Sequence, residues 1–168
     1  MKLSLKKGFT LIELLVVIAI VIALGVAVFA ALNPGQRLKD ARDARRTSDL
    51  DTILTAIHQY IIDSKGDASG LGLTTADQQL GTGATGCAIA TGGCTVVATA
   101  CLNIAGTGGT LLSKYLKSMP IDPLGGTTYT AAKTGYAVSQ DANGLITVKA
   151  CGTGSGTTEG ATNMSASR

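Results

Sequence analysis

The chain has 168 residues, enough for one domain and an appended segment. With 22 glycines, two Phe and no Trp, the part beyond about residue 65 has few bulky side chains and can build only a modest core. Lys2, Lys6 and Lys7 carry the whole net charge of +3, leaving 11 Lys/Arg against 11 Asp/Glu beyond Gly8, which excludes a global electrostatic case for direct nucleic-acid binding.

An apolar run follows those lysines. Leu14 to Leu32 contains 19 residues without a charge, and with Phe9 to Glu13 the apolar helix reaches 24 residues. At ~1.5 Å per residue it spans ~36 Å, enough to cross a bilayer. One acid, Glu13, stands near its start, where neither a secretory signal nor a plain anchor has a use for it. Val28-Phe29-Ala30 offers a small-residue site to a signal peptidase. Basic residues flank both ends of the run, with Arg37, Lys39, Arg42, Arg45 and Arg46 after it, so positive-charge counting leaves orientation open.

Lys6-Lys7-Gly8-Phe9-Thr10-Leu11-Ile12-Glu13-Leu14 resembles the processing motif of type IV prepilins and related pseudopilins, and the match runs from Lys6 to Val17. The resemblance implies that a membrane-bound prepilin peptidase cuts after Gly8 on the cytoplasmic side and methylates the new N-terminal residue, Phe9. Glu13 is then the fifth residue of the mature chain. Four residues, or ~6 Å, from the new terminus, its charge can stay near the headgroups while the helix spans the bilayer. In a fibre it needs a cation, and the Phe9 ammonium is the only one within the apolar helix; the resemblance implies that a neighbouring subunit supplies it, while geometry leaves the subunit's own ammonium open.

Asn33-Pro34-Gly35 breaks the apolar pattern. Pro inside a helix costs ~3 kcal/mol, but Asn-Pro also suits an N-cap and first helical position, so the helix either kinks or stops and restarts. Gln36 to Arg46 is polar on every face, with Lys39–Asp43, Arg37–Asp40 and Arg45–Asp49 at pairing distance, and reads as a solvated charge run. Leu50, Ile53, Leu54, Ile57 and Ile61 then form an apolar stripe with Tyr60 at its edge, suited to packing on a sheet. Lys65-Gly66 supplies a stop.

Gly66 to Gly109 reads as a long connection with one irregular hairpin. Leu111 to Lys117 predicts a short helix ending before the rigid Met119-Pro120-Ile121-Asp122-Pro123 segment. Thr127–Ala131, Gly135–Ser139 and Leu145–Ala150 predict strands, with Asp141-Ala142-Asn143-Gly144 as the turn between the last two. Gly152 to Arg168 shows no periodicity and reads as a flexible tail. Tyr115, Pro120-x-Asp122-Pro123, Tyr129 and Tyr136 resemble the C-terminal half of major type II secretion pseudopilins and some pilins.

Most chemical motifs fail on context. Gly81-Thr82-Gly83-Ala84-Thr85-Gly86 satisfies G-x-G-x-x-G but lacks the flanking strand, the helix and a well-spaced acid. His58 is the only histidine, and no Ser or Thr has a candidate base. Asp141-x-Asn143-Gly144 begins like a calcium loop without its remaining ligands, and reads as a turn. Asn163-Met164-Ser165 is a sequon in the tail. Neither catalysis nor a cofactor or metal site is expected.

Cys87, Cys94, Cys101 and Cys151 fit no zinc spacing, and an even number in a core-poor exported domain favours disulfides. Two cysteines seven residues apart on an extended strand stand ~23 Å apart, beyond the ~4.4–6.8 Å Cα spacing of a disulfide, so a turn must intervene. Thr91-Gly92-Gly93 supplies one between Cys87 and Cys94, whereas Thr95 to Ala100 supplies none between Cys94 and Cys101. The expected pairs are Cys87–Cys94 and, by elimination, Cys101–Cys151.

The expected fold is α+β: a long N-terminal helix, half membrane-spanning and half amphipathic, the latter packed on a small C-terminal antiparallel sheet. The expected organisation is a cleaved leader (1–8), a transmembrane and polymerisation helix (9–32), an amphipathic helix (33–65), a disulfide-bonded β domain (66–151) and a flexible tail (152–168). The expected function is that of a type IV pilus subunit, a homo-oligomer in a helical filament, serving adhesion, motility or DNA uptake. It would meet the prepilin peptidase and the pilus or secretion assembly machinery, lie in the membrane before assembly and in an extracellular fibre afterwards. The alternatives are a type II secretion pseudopilin, a secreted disulfide protein cut after Ala30, and a membrane-anchored surface protein.

Overall fold

A computed structural model describes residues 8–90, 93–104, 112–124, 128–152 and 164–168. The chain divides into two compact units, Met1–Leu38 and Lys39–Arg168.

The first unit is built on helix α1, Leu11–Leu32. Thr10 is its N-cap in extended backbone, and with Glu13 three residues on it forms a capping box that satisfies donors at the helix start. Asn33 ends the helix in the left-handed region, at φ 40° and ψ 71°. Helix α2, Pro34–Asp63, begins on the next residue, and the N–H groups of Gln36 and Arg37 donate to the Asn33 carbonyl at 3.0 and 3.3 Å. Of the two options at Asn-Pro, stop and restart is the one realised: Pro fills a first-turn position where its missing N–H costs nothing. No residue of α1 is buried, so its apolar surface is unpartnered all round.

In the second unit the later turns of α2 carry the buried face. Leu50, Ile53, Leu54 and Ile57 are at most 3% exposed and join one core with Tyr136, Val138, Ile146 and Val148. Tyr60 and Ile61 pack on its edge. Lys65 (φ 59°) and Gly66 (φ 93°) end the helix, and the Gly66 N–H donates to the Ile61 carbonyl at 2.8 Å.

The sheet is antiparallel, in the order β1-β2-β3-β4: Gln78–Gln79, Tyr136–Gln140, Ile146–Ala150 and Met164–Ser167. Val138 stands opposite Val148 and Tyr136 opposite Ala150. Strand β2 is buried on both faces: Tyr136 and Val138 point into the main core, while Ala137 lies in a second cluster with Cys94, Val96, Cys151 and Ile89. The fold is α+β, as expected.

Several elements differ from the sequence reading. Residues 128–131 form no strand. They fold into a tight turn in which Thr130 and Lys133 exchange backbone hydrogen bonds (2.9 and 3.1 Å), while the Ala131 and Ala132 carbonyls accept from Thr82 and Gly83; Thr127 lies outside the described residues. The helix expected at Leu111–Lys117 is a single turn, closed by Leu116 N–H to the Leu112 carbonyl at 2.7 Å, because so short a segment before Pro120 cannot offset helix nucleation; Leu111 itself lies outside the described residues. Part of the expected flexible tail is strand β4. Met164 and Ala166 pack on the core while Ser165 and Ser167 face outward, a period of two hidden by small side chains. Residues 153–163, including the Asn163 of the sequon, lie outside the described set.

The middle segment contains a 3-10 turn at Ser69–Leu71, strand β1, a parallel bridge between Leu80 and Leu102, and the expected irregular hairpin, with Ile89 and Val96 exchanging hydrogen bonds at 2.9 and 2.8 Å. The cysteine pairing is corrected. The disulfides are Cys87–Cys101 and Cys94–Cys151, not Cys87–Cys94 and Cys101–Cys151. A turn does lie before Cys94, with Gly93 at φ 77°, but Cys94 sits near the hairpin tip. Cys87 lies farther down the other arm, where its N–H donates to Thr99 at 3.1 Å, and this brings Cys101 within reach. Loop closure alone gives ~3 kcal/mol for the 14-residue separation and ~4 for the 57-residue one.

Candidate functional site

The residues singled out at the N-terminus lie together at the start of α1. Gly8 is exposed, and a Cβ built on it meets nothing within 4 Å. Among the described residues nothing therefore demands glycine there. Phe9 is 90% exposed. The next residue, Thr10, is the one the sequence reading missed. Its N–H and its hydroxyl both donate to Glu13 Oε2 at 2.8 Å, and the Glu13 N–H donates back to Thr10 Oγ1 at 3.3 Å. The signal was present, since Thr10-x-x-Glu13 before an apolar run is a capping-box pattern. In the full chain the Phe9 nitrogen is a peptide N–H, so Glu13 has no ammonium here and uses the helix start instead. Lys2, Lys6 and Lys7 lie outside the described residues.

The charged groups of the second unit bind its elements together. Arg46, expected in a solvated run, is fully buried. It lies four residues before Leu50 and so continues the buried stripe of α2. Its guanidinium makes a fork to Asp122 (Nε to Oδ2 2.8 Å, Nη2 to Oδ1 2.9 Å), and Nη1 reaches Asp43 at 2.7 Å. Asp122 also accepts the Leu124 N–H at 2.9 Å, so the Pro-Ile-Asp-Pro segment is held to α2 by a buried ion pair. Arg45 and Asp49 approach to 3.9 Å, as their spacing predicted. Asp49 accepts the Tyr136 hydroxyl at 2.7 Å, and burial, then this bond, push the phenol's ionisation far up.

Asp77 is buried at the margin of the sheet. Burial alone would raise its pKa, but the Thr95 N–H at 3.0 Å and the Lys149 ammonium at 2.9 Å outweigh that and hold it below the ordinary carboxylate range. At the surface, Asp63 takes hydrogen bonds from Lys114 and Tyr115, which lower its pKa in that order.

The remaining motifs resolve into structure. Asp141 caps the β2–β3 turn, accepting the Leu145 N–H at 2.7 Å and the Asn143 N–H at 2.9 Å, so its carboxylate is engaged by the turn. A Cβ at Gly81 would stand 2.3 Å from the Ala132 carbonyl oxygen and one at Gly83 2.7 Å from it, so these glycines serve a close backbone approach, not a nucleotide. Among the described residues the buried Nε2 of His58 has no hydrogen-bond partner, and no group of three His, Cys, Asp or Glu could hold a metal.

Compared with known proteins, residues 3–29 match the family described as the prokaryotic N-terminal methylation motif, the prepilin-type signal of type IV pilins and pseudopilins. No curated protein and no solved structure matches the chain.

Proposed function

We propose that this chain, which carries a prepilin-type methylation motif, is the structural subunit of a type IV pilus, cut after Gly8, methylated on Phe9 and polymerised through α1. The observation that carries the reading is the joint occurrence of that motif with a helix whose apolar surface is exposed on every side. Such a surface is satisfied either by lipid or by like helices, and a subunit leaving the bilayer must take the second option. The membrane thus holds the precursor, and the fibre core replaces it.

Glu13 sets the register of each incoming subunit. Cleavage converts the Phe9 nitrogen into an ammonium, and an opposite charge 4 Å away attracts the carboxylate by ~4 kcal/mol at an effective dielectric of 20, before desolvation. A misplaced subunit buries the acid without that partner. The test is Glu13→Ala in cells lacking the wild-type chain: inserted, cut after Gly8, and poorly assembled is the expected outcome. Abundant normal filaments of the variant would overturn the role.

The pseudopilin reading shares the N-terminal features and draws on the Pro120-x-Asp122-Pro123 segment, anchored here by Arg46. Imaging sheared surface filaments, alongside the secretion of other exported proteins in a strain lacking this chain, separates the two.

A further inference from the structure

We infer that oxidation alone delivers this chain's native disulfides in only a minority of molecules, and that the chain is a substrate of an exported dithiol isomerase, a protein whose cysteine thiolate reshuffles mispaired bonds. The inference rests on the proposed export of the second unit into an oxidising compartment. Its basis is the interleaved connectivity, Cys87 to Cys101 across Cys94, and Cys94 to Cys151 across Cys101.

Cys87, Cys94 and Cys101 are spaced seven apart and precede Cys151 by 50 residues or more, so they meet one another first. Closure probability falls as about the 3/2 power of loop length, which favours each seven-residue ring about threefold over the native fourteen-residue ring. With two such competitors, the native bond forms first in about one chain in seven. Either wrong first bond leaves Cys151 to pair with the remaining cysteine. The product is fully oxidised and holds no thiol of its own with which to rearrange.

The chemistry balances. Oxidation passes two electrons and two protons per bond to a partner disulfide, which becomes a dithiol. Rearrangement needs no net oxidant. In the Cys87–Cys94, Cys101–Cys151 isomer, the isomerase thiolate attacks Sγ of Cys94, forming a mixed disulfide and releasing the Cys87 thiolate. Cys87 attacks Cys101 and releases Cys151, which attacks Cys94 and expels the isomerase thiolate. The Cys94–Cys101, Cys87–Cys151 isomer resolves through the same mixed disulfide on Cys94. The native state slows a second attack because Cys87, Cys94 and Cys151 are buried, at 0%, 3% and 0% exposure, which leaves the half-buried Cys101 as the most accessible of the four sulfurs.

The test uses the full chain in detergent, reduced and unfolded, then oxidised either with diamide, which leaves no thiol, or in a mixture of reduced and oxidised glutathione. Trypsin leaves Cys87, Cys94 and Cys101 on one peptide, since no Lys or Arg lies between Lys65 and Lys114, so elastase is added before mass spectrometry. Diamide is expected to give the native pair in about one chain in seven, and glutathione to give it in most. A native majority with diamide alone, or a different pairing in glutathione, overturns the inference. The Cys87→Ser/Cys101→Ser variant has no wrong choice and should form Cys94–Cys151 equally under both conditions; a persisting need for thiol overturns it too. Export is read separately by thiol alkylation in intact cells: four reactive thiols would refute export and leave the pairing result standing.

Discussion

Leu11–Leu32 and Leu50–Ile57 are both apolar helical stretches, and they solve opposite problems. In the first, no residue is buried; in the second, Leu50, Ile53, Leu54 and Ile57 lie in a core with the sheet. The difference is legible in periodicity. A stretch apolar on every face has no inside within its own chain and must find one in lipid or in other copies, whereas a stripe needs only one surface, which the same chain supplies. The charges follow the same division. Glu13 is held locally by Thr10, three residues away, while Arg46 is held by Asp122 across 76 residues.

The largest expected effect breaks the first region at a residue its own fold does not need. Gly8→Leu should leave α1 and the second unit intact, since a Cβ there meets nothing among the described residues, yet yield only uncut, membrane-bound precursor. Normal maturation, read by N-terminal sequencing, would refute the processing assignment.

In the second region the corresponding break is internal. Asp122→Ala removes the carboxylate fork from the buried Arg46 guanidinium and should cost ~3–5 kcal/mol. Replacing both partners together, Arg46→Met with Asp122→Leu, should recover much of that loss. All four tyrosines lie in this unit, so near-ultraviolet circular dichroism during urea unfolding of the full chain in detergent reports on it. A double variant no more stable than Asp122→Ala would show that the segment depends on the charges themselves.

A smaller effect sharpens the comparison through pH. Asp77 is held below the ordinary carboxylate range, so its contribution is fully present above the unfolded value and lost as pH falls through the folded one. Asp77→Asn should therefore be less stable than the parent at neutral pH, with the gap closing on acidification. A gap that widens in acid would reverse the sign of the argument.

The smallest effect is expected at the cap. Thr10→Ala should cost ~1 kcal/mol of helix stability at the start of α1 and leave the unfolding midpoint of the second unit unchanged. Faster hydrogen exchange at the Glu13 amide, without change at Ile53, is the measurement. Equal changes at both would mean that the two units are coupled in stability.

What the chain specifies by itself is what contacts within about four residues decide. The two helices, the break at Asn33-Pro34, the stop at Lys65-Gly66, the buried stripe and the Asp141–Gly144 turn all rest on short-range hydrogen bonds and on periodicity. So does the Thr10–Glu13 box, which was present in the pattern and overlooked. Only the tertiary structure decided the disulfide partners, the burial of Arg46, the turn at residues 128–131 and strand β4. Each depends on which distant segment arrives alongside: Thr82 and Gly83 claim the Ala131 and Ala132 carbonyls, β3 offers an edge to Met164–Ser167, and the register of one hairpin sets Cys87 toward Cys101. In a segment of Gly, Thr and Ala, with few side chains large enough to impose a period, the local pattern is nearly silent and long-range closure chooses among near-equal alternatives.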